Sequence, residues 1–525
     1  MKHNQMLHWI IILMVIIITN SALSQTYETG NTSVTYNDPN RNNRSIPTQI
    51  FYPANSNGTN VPVAEGEFPV IVFGHGFVMG YSAYQYLWQA LVPQGYILVL
   101  PTTESGFSPN HLALGLDLRF LVGKLKAEGL NPGSLFYNHI SEGSAIMGHS
   151  MGGGASFLAC QNFSDVNAMI TFAAAETNPS AIQAAASIQV PTLVFSGGND
   201  CVTPPPNHQV PMYNNLASDC KTFISITGGG HCYFADYNFN CAFGELTCSP
   251  APTITRDQQH TIILNHLIPY LEFHLKGNQQ AWIAFNNLLN NPTGITSLQS
   301  CNIRLIDVKA FLEGPFNGTN LNTYLTGLTD FPLSQPYNVA PWNYLGSEIV
   351  TTVPSNVVDW ILVELRDATA AATATAATRI ARQAAFLMND GSIRDLDGTS
   401  NQQFDNLIIQ HSLFVVLWHL NHLGIMSANP LTLSGGVYSY DFTTGSTQAY
   451  GTGAQKEITT GIWGMYSGNG DANNTINTAD KAGVWSPNAG KKEYLNADFN
   501  RNGQVNNRDK NEFWRPNQGQ SCQVP

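Results

Sequence analysis

Gly148-His149-Ser150-Met151-Gly152 is where this sequence first offers chemistry. The serine sits between glycines. An apolar run, 144–147, leads into it, and a small-residue stretch, 152–159, follows. That strand–turn–helix setting lifts a hydroxyl clear of the backbone, and the glycines permit the sharp turn. A serine hydroxyl is a weak nucleophile, so it needs a base, and the base needs an orienting acid. In a sheet of this kind the order along the chain is Ser, acid, His. Asp200 follows the apolar run 191–195, and His231 follows 222–226 behind Gly228-Gly229-Gly230. Glu176 is the rival acid. His208 and His260 are rival bases, each in a polar or helical stretch with no strand before it. Acyl transfer also requires donors for an oxyanion. The N–H of Met151 is one, and the N–H of Phe77, in the loop Gly74-His75-Gly76-Phe77 after 68–73, is the second. His75 is assigned to holding that loop.

These groups must be carried by a sheet. Runs at 68–74, 96–100, 144–147, 168–173, 191–195 and 222–226 alternate with helical stretches such as 111–126 and 258–276. Such alternation predicts an α/β region with a mostly parallel sheet covered on both faces, here placed at 25–300. Segments 33–36 and 46–52 read as an antiparallel edge hairpin. Residues 301–460 change to strand runs (357–365, 412–418) separated by turn clusters and predict a β-sandwich, with the Ala/Thr tract 368–378 as a poorly ordered loop. Residues 461–525 form a third, small α module.

Ser150 in Gly-His-Ser-Met-Gly-Gly-Gly, Asp200 in Gly-Gly-Asn-Asp, His231 in Gly-Gly-His and the His75-Gly76-Phe77 loop together resemble the α/β-hydrolase family. More narrowly they resemble the dienelactone-hydrolase, chlorophyllase and cutinase-type polyester-hydrolase group. The likeness covers about residues 30–290. It implies carboxylic-ester hydrolysis through an acyl-enzyme, without a catalytic cofactor, on small esters or polyesters. Polyester hydrolases of this group place a tryptophan after the strand that follows the elbow, where this chain reads Ala173-Ala-Ala-Glu-Thr177. Tyr233, Phe234 and Trp88 are the aromatic residues left to line a pocket, or to fill the core. Cys201 follows Asp200 and Cys232 follows His231, so a disulfide is expected to tether these two loops, directly or through Cys220.

Near the end, Asp480–Gly490 recurs as Asp509–Gly519 at a constant offset. Each copy is preceded by an oxygen-rich loop. One loop offers Asn469, Asp471, Asn473, Thr475 and Asp480; the other offers Asp498, Asn500, Asn502, Gln504 and Asp509. Side-chain oxygens at positions 1, 3, 5 and 12, with the carbonyl at position 7, are what a Ca²⁺ loop supplies. Gly503 holds the sharp-turn position, and Asn474 replaces it in the first loop, which has two Asp and otherwise Asn and is expected to bind more weakly. The pair resembles the duplicated loop-helix of type I dockerins, which implies structural Ca²⁺ and docking onto a protein partner.

The chain has 525 residues, 43% hydrophobic and only 11% charged, with 23 Lys+Arg against 35 Asp+Glu and a net charge of −12. No basic excess exists to bind phosphates, which argues against nucleic acid. Residues 1–24 carry Lys2, an apolar core and small residues before a cut after Ser24, the pattern of a secretory signal. Its core is short of a membrane span, and no later stretch is long enough. Export makes disulfides the default for the eight cysteines. The expected protein is a secreted, extracellular or cell-surface serine esterase. The alternative is a surface adhesion or scaffold protein with an inert hydrolase region.

Overall fold

A computed structural model describes residues 26–405 and 407–525; the expected signal segment lies outside them. The chain opens with a hairpin, β1 (Glu28–Asp38) and β2 (Arg44–Ala54), followed by the short β3 (Gly58–Thr59). Then come β4 (Phe68–Gly74), α1 (Gln85–Leu91), β5 (Ile97–Pro101), α2 (His111–Gly129), β6 (Ile140–His149) and α3 (Met151–Cys160). The series continues through β7 (Ala168–Phe172), α4 (Ala181–Ala185), β8 (Thr192–Gly197), α5 (Gln209–Asn215) and β9 (Cys220–Ile226). It closes with α6 (Phe239–Glu245), α7 (Arg256–Lys276), α8 (Gln279–Asn290) and β10 (Ile295–Cys301).

These strands form one ten-stranded sheet in the order β10-β9-β8-β7-β6-β4-β5-β2-β1-β3. β4 to β9 run parallel; β10 at one side and the β1–β2 hairpin at the other are antiparallel. The parallel strands read as unbroken apolar runs because both faces are covered. Along β4, Val70 and Val72 join a core with α2 and α3, whereas Ile71 and Phe73 point to the other face, toward α1 and α7. α2 starts where Asn110 caps Ala113 N–H, and α7 where Thr255 and Gln258 form a capping box; α7 stops at Gly277 (φ 70°).

The second sheet begins at β11 (Arg304–Lys309) and continues with β12 (Val357–Ala368), β13 (Arg379–Met388), β14 (Ser392–Arg394) and β15 (Gln402–Phe404). β16 (Ser412–Trp418), β17 (Ile425–Met426), β18 (Thr432–Ser434) and β19 (Val437–Asp441) complete it. The expected pair of separate sheets is instead a single hydrogen-bonded nine-stranded sheet. The short β14 pairs with both β13 and β11 and so joins the two halves. Ile361, Val363 and Leu365 of β12 share one core with Ile306 and Val308 of β11 and Tyr440 of β19. The Ala/Thr tract is ordered rather than loose. It forms two 3₁₀ turns, Ala371–Thr373 and Ala376–Thr378, with Ala374 fully buried and its carbonyl accepting from Arg366 Nη1 (2.7 Å).

The repeats make only short helical turns, Asp480–Trp485 and Asp509–Trp514, related to each other as a reciprocal pair. Trp485 Nε1 donates to Asn506 O (3.0 Å), and Trp514 Nε1 donates to Asn477 O (2.8 Å). This region packs on the second sheet: Ile476, Phe499 and Trp514 bury against Leu423. Arg501, fully buried, reaches Asp359 of β12, and its Nε donates to Asp359 Oδ2 at 2.7 Å. Among the described residues no helix is long and apolar enough to cross a membrane.

Candidate active site

Ser150 is set at a forced turn between β6 and α3, with φ 54° and ψ −118°. Such a backbone is costly for a non-glycine residue and persists only where its surroundings over-determine it. Ser150 N–H donates to Phe172 O (2.9 Å), while Ser150 O accepts from Ala175 N–H (2.9 Å) and from Gly154 N–H (3.0 Å). The flanking glycines are needed for closeness. A Cβ on Gly148 would lie 2.2 Å from Gly152 O, and one on Gly152 would lie 2.1 Å from Gly74 O. α3 is thus pressed onto the ends of β4 and β6.

The structure brings Ser150, Asp200 and His231 together, although they arise on three separate connections. His231 Nε2 is 2.9 Å from Ser150 Oγ, and His231 Nδ1 is 2.8 Å from Asp200 Oδ2. His231 and Asp200 are buried, whereas Ser150 is half-buried. Asp200 is satisfied by neutral donors. Its Oδ1 accepts from Val202 N–H and Thr203 N–H (both 2.8 Å), and its Oδ2 accepts from Thr203 Oγ1 (2.8 Å). Met151 opens α3, so its N–H has no intrahelical acceptor. Phe77 follows directly on the loop after β4, its side chain 48% exposed. His75 Nε2 donates to Thr103 O (2.8 Å) and ties that loop down.

The rival groups are engaged elsewhere. Glu176 Oε2 accepts from Ile182 N–H at 3.0 Å. His208 Nδ1 accepts from Glu176 N–H (2.9 Å), and burial lowers its pKa. His260 stacks on Tyr86 with centroids 3.7 Å apart and donates to Ala235 O. Trp88 and Phe234 are core residues: Trp88 stacks on Phe51 and Phe234 on Phe172. Tyr233 lies beneath the Arg256 guanidinium.

Several site residues carry no local signal. Thr203 Oγ1 lies 3.0 Å from His231 Nδ1 and accepts from Gln209 Nε2 (3.1 Å). Glu245 Oε1 accepts from His231 N–H at 2.6 Å. The cysteines also pair differently from the expected tether. The bonds are Cys201–Cys248, Cys232–Cys241 and Cys220–Cys301, with Cys160 and Cys522 free. Cys201 and Cys232 are therefore joined neither to each other nor through Cys220. Cys232 is anchored to Cys241 on α6, and Cys201 to Cys248 just beyond it; Glu245, the last residue of α6, lies between the two anchors. Cys220–Cys301 instead clamps β9 to the neighbouring β10. α6 also reaches the oxyanion-side loop, where Asn240 Nδ2 donates to Val78 O at 3.0 Å. Phe77 on the loop after β4, Phe107, Val202 beside Asp200, and Phe239, Phe243 and Leu246 on or next to α6 expose apolar side chains. The Phe77 and Phe107 rings meet edge-on with centroids 6.4 Å apart.

The expected calcium ligands lie in two similar loops. Asp480 accepts from Asp471 N–H and Asn477 N–H, and Asp509 in the same way from Asn500 N–H and Asn506 N–H. Asp498 accepts from Asn502 N–H and Gly503 N–H. Asn473 and Asn502 close small turns onto Thr475 N–H and Gln504 N–H. The carbonyls of Thr475 and Gln504 accept from the side chains of Asn477 and Asn506. Among the described residues no three His, Cys, Asp or Glu side chains converge as a metal group. The donor set nevertheless fits a hard cation. Asn469 Oδ1 is buried without a hydrogen-bond partner. Burial, with an acidic neighbour adding to it, pushes Asp480 up to about 6 and Asp509 up to about 7.

Comparison with known proteins places this site in context. Residues 21–248 match the family model described as PETase, PET hydrolase-like. The bis(hydroxyethyl) terephthalate hydrolase of Streptomyces coelicolor is 24% identical over 189 residues, 35% of this chain and 54% of the relative. Cutinase est1 of Thermobifida alba is 25% identical over 185 residues, 35% of this chain and 56% of the relative. Cutinase 1 of Thermobifida cellulosilytica is 33% identical over 88 residues, 17% of this chain and 32% of the relative. The chain thus spans about half the length, or less, of these curated relatives. The likeness supports a cutinase-type α/β-hydrolase region within residues 21–248.

Proposed function

We propose that this chain is a secreted serine-dependent carboxylic-ester hydrolase whose substrates are apolar esters, including polyesters. The observation that carries the proposal is the hydrogen-bonded line from Asp200 through His231 to the half-buried hydroxyl of Ser150. Ser150 Oγ attacks the ester carbonyl while His231 Nε2 takes its proton. Asp200 holds the ring by its Nδ1–H and stabilises the imidazolium as it forms. The N–H groups of Phe77 and Met151 receive the oxyanion. His231 returns the proton to the leaving alcohol. It then takes a proton from the water that attacks the acyl-enzyme and returns it to Ser150 Oγ as the Oγ–acyl bond breaks and the carboxylic acid leaves. The exposed apolar side chains on segments that carry or adjoin the site, Phe77, Phe107, Val202 and those of α6, and the names of the relatives, support an apolar substrate surface over a small polar ester. Three disulfides support an oxidising, extracellular setting.

Purified protein is expected to turn over short-chain p-nitrophenyl esters and to release soluble acid from a polyester film. Ser150→Ala should abolish both without unfolding the chain. Turnover that survives this substitution contradicts the proposal.

The repeats we read as a calcium-stabilised brace built onto the second sheet, because Arg501 of the second loop is spent on Asp359. Residues Asn469, Asp471, Asp480, Asp498, Asn500 and Asp509 would hold the ions, which would supply charge neutralisation to buried acids. Calcium should raise the melting temperature of the chain, and Asp480→Asn with Asp509→Asn should remove that rise. An unchanged melting temperature contradicts this reading.

A further inference from the structure

We propose that Tyr84 and His149 are positioning residues, joining the oxyanion loop to the backbone of His231 through one buried hydrogen-bonded chain. The inference rests on the serine-hydrolase reading above and extends it to residues outside the triad. Gly76 N–H donates to Tyr84 Oη at 2.7 Å. Tyr84 Oη lies 3.1 Å from His149 Nδ1, and His149 Nε2 lies 3.1 Å from His231 O. Tyr84 and His149 are both fully buried.

The two ends fix the direction of every bond between them. A peptide N–H can only donate, and a carbonyl can only accept. His149 Nε2 therefore carries the ring proton, and a neutral ring then leaves Nδ1 bare. Tyr84 accepts from Gly76 and gives its own proton to that nitrogen. Its other neighbour, Met79 Sδ at 3.6 Å, is a weak acceptor. Burial holds the His149 pKa well below its ordinary value, so the ring stays neutral beside His231, whose centroid is 4.9 Å away. Every polar atom in the chain is satisfied, which is the condition under which a buried network rigidifies rather than costs stability.

The consequence lies at both ends. Gly76 immediately precedes Phe77, so the chain fixes the peptide next to the Phe77 oxyanion donor. A Cβ at Gly76 would lie 3.2 Å from Tyr84 Oη and 3.3 Å from His149 Nδ1, so a glycine here lets the loop backbone sit close against both members of the chain. At the other end the His231 backbone is held by Glu245 at its N–H, and its carbonyl accepts from both His149 and Phe234 N–H (3.3 Å). The base and an oxyanion donor must hold one relative position through two acyl-transfer steps, and small misplacements there are expensive in rate.

Steady-state kinetics on a soluble p-nitrophenyl ester test the proposal. Tyr84→Phe should lower kcat about tenfold, the scale of one lost buried hydrogen bond, while KM stays within about twofold. His149→Phe should lose a similar factor, and His149→Gln, which keeps a donor and an acceptor, should recover most of it. Because the two residues act in one chain, the double variant Tyr84→Phe/His149→Phe should be no slower than the slower single variant. Folded single variants with unchanged kcat, or losses that multiply in the double variant, would overturn the proposal. Ring ¹⁵N spectra of the unaltered protein give a test that does not depend on variants folding. They should show His149 protonated on Nε2 with Nδ1 bare, and the opposite tautomer overturns the proposal. Ser150→Ala in the same assay separates the two levels of inference. Turnover that survives it sinks the hydrolase reading. Turnover that it abolishes, beside an unaffected Tyr84→Phe, sinks only the chain.

Discussion

Two buried aspartate–histidine pairs lie among the described residues, and they differ in what surrounds them. Asp200 meets His231 in the first sheet, and Asp359 meets His419 in the second, with Asp359 Oδ2 3.0 Å from His419 Nε2. All four residues are buried. The carboxylates differ in their other partners. Asp200 has only neutral donors besides the imidazole. Asp359 also receives the Arg501 guanidinium, the Tyr494 hydroxyl (2.6 Å) and its neighbour's Trp360 N–H. The outer nitrogens differ as well. That of His231 faces a half-exposed hydroxyl, whereas His419 Nδ1 faces the buried ring of His422 at 3.1 Å. A carboxylate already neutralised by arginine has little left to stabilise an imidazolium, and a ring closed in by a second histidine has no nucleophile to activate. On the proposed reading the first pair is the one that transfers protons, and the second is a clamp holding the repeats against the second sheet.

Matched substitutions break this comparison most sharply. Asp200→Asn should cost activity by about four orders of magnitude, by analogy with the loss of a triad aspartate elsewhere. Its melting temperature should change little. Asp359→Asn should do the reverse, leaving esterase activity of the folded chain intact. Denaturant unfolding should find it about 3–5 kcal/mol less stable, since Arg501 remains buried without its counter-charge. Equal losses of activity in both variants would erase the distinction.

Acid sharpens it further. Burial disfavours the Asp359 carboxylate, but Arg501, His419 and Tyr494 outweigh that and hold its pKa below the ordinary carboxylate range. The unfolded chain therefore takes up this proton first, from about pH 4 downward. The stability supplied by the clamp is complete above that pH and is lost as the pH falls through the lower folded value. The stability gap between the unaltered chain and Asp359→Asn should accordingly shrink below about pH 4, and a gap that widens there would contradict the assignment. The smallest effect is expected at Thr203, whose hydroxyl steadies Asp200 and His231 without entering the reaction. Thr203→Val should lower kcat about tenfold in a chain that remains folded, as kinetics with a melting curve would show.

What the sequence makes legible follows from how local each signal is. Ser150, Asp200 and His231 each sit just beyond an apolar strand run, so the order of runs was enough to single them out. The parallel sheet was readable for the same reason. Tyr84, Thr203, Gln209 and Glu245 have no such marker, because their roles exist only through contacts between distant segments. The cysteines show the limit most plainly. Cys201 and Cys232 stand beside the triad, yet their partners are set by where α6 falls, and no spacing encodes that. The second sheet likewise read as a sandwich because runs such as 357–365 and 412–418 report only burial, whereas the joining strand β14 is three residues long. The repeats were visible as a recurring pattern, but nothing in that pattern singled out Arg501, which ties them to β12.

The central claim is that the Ser150 hydroxyl is the one activated nucleophile of this chain. Treatment of the folded protein with a serine-directed fluorophosphonate, followed by peptide mass mapping, tests it directly. A single adduct on the peptide containing Ser150, lost together with esterase activity in His231→Ala, is the predicted result. Full activity after exhaustive treatment, or an adduct on another serine with Ser150 unmodified, would contradict it.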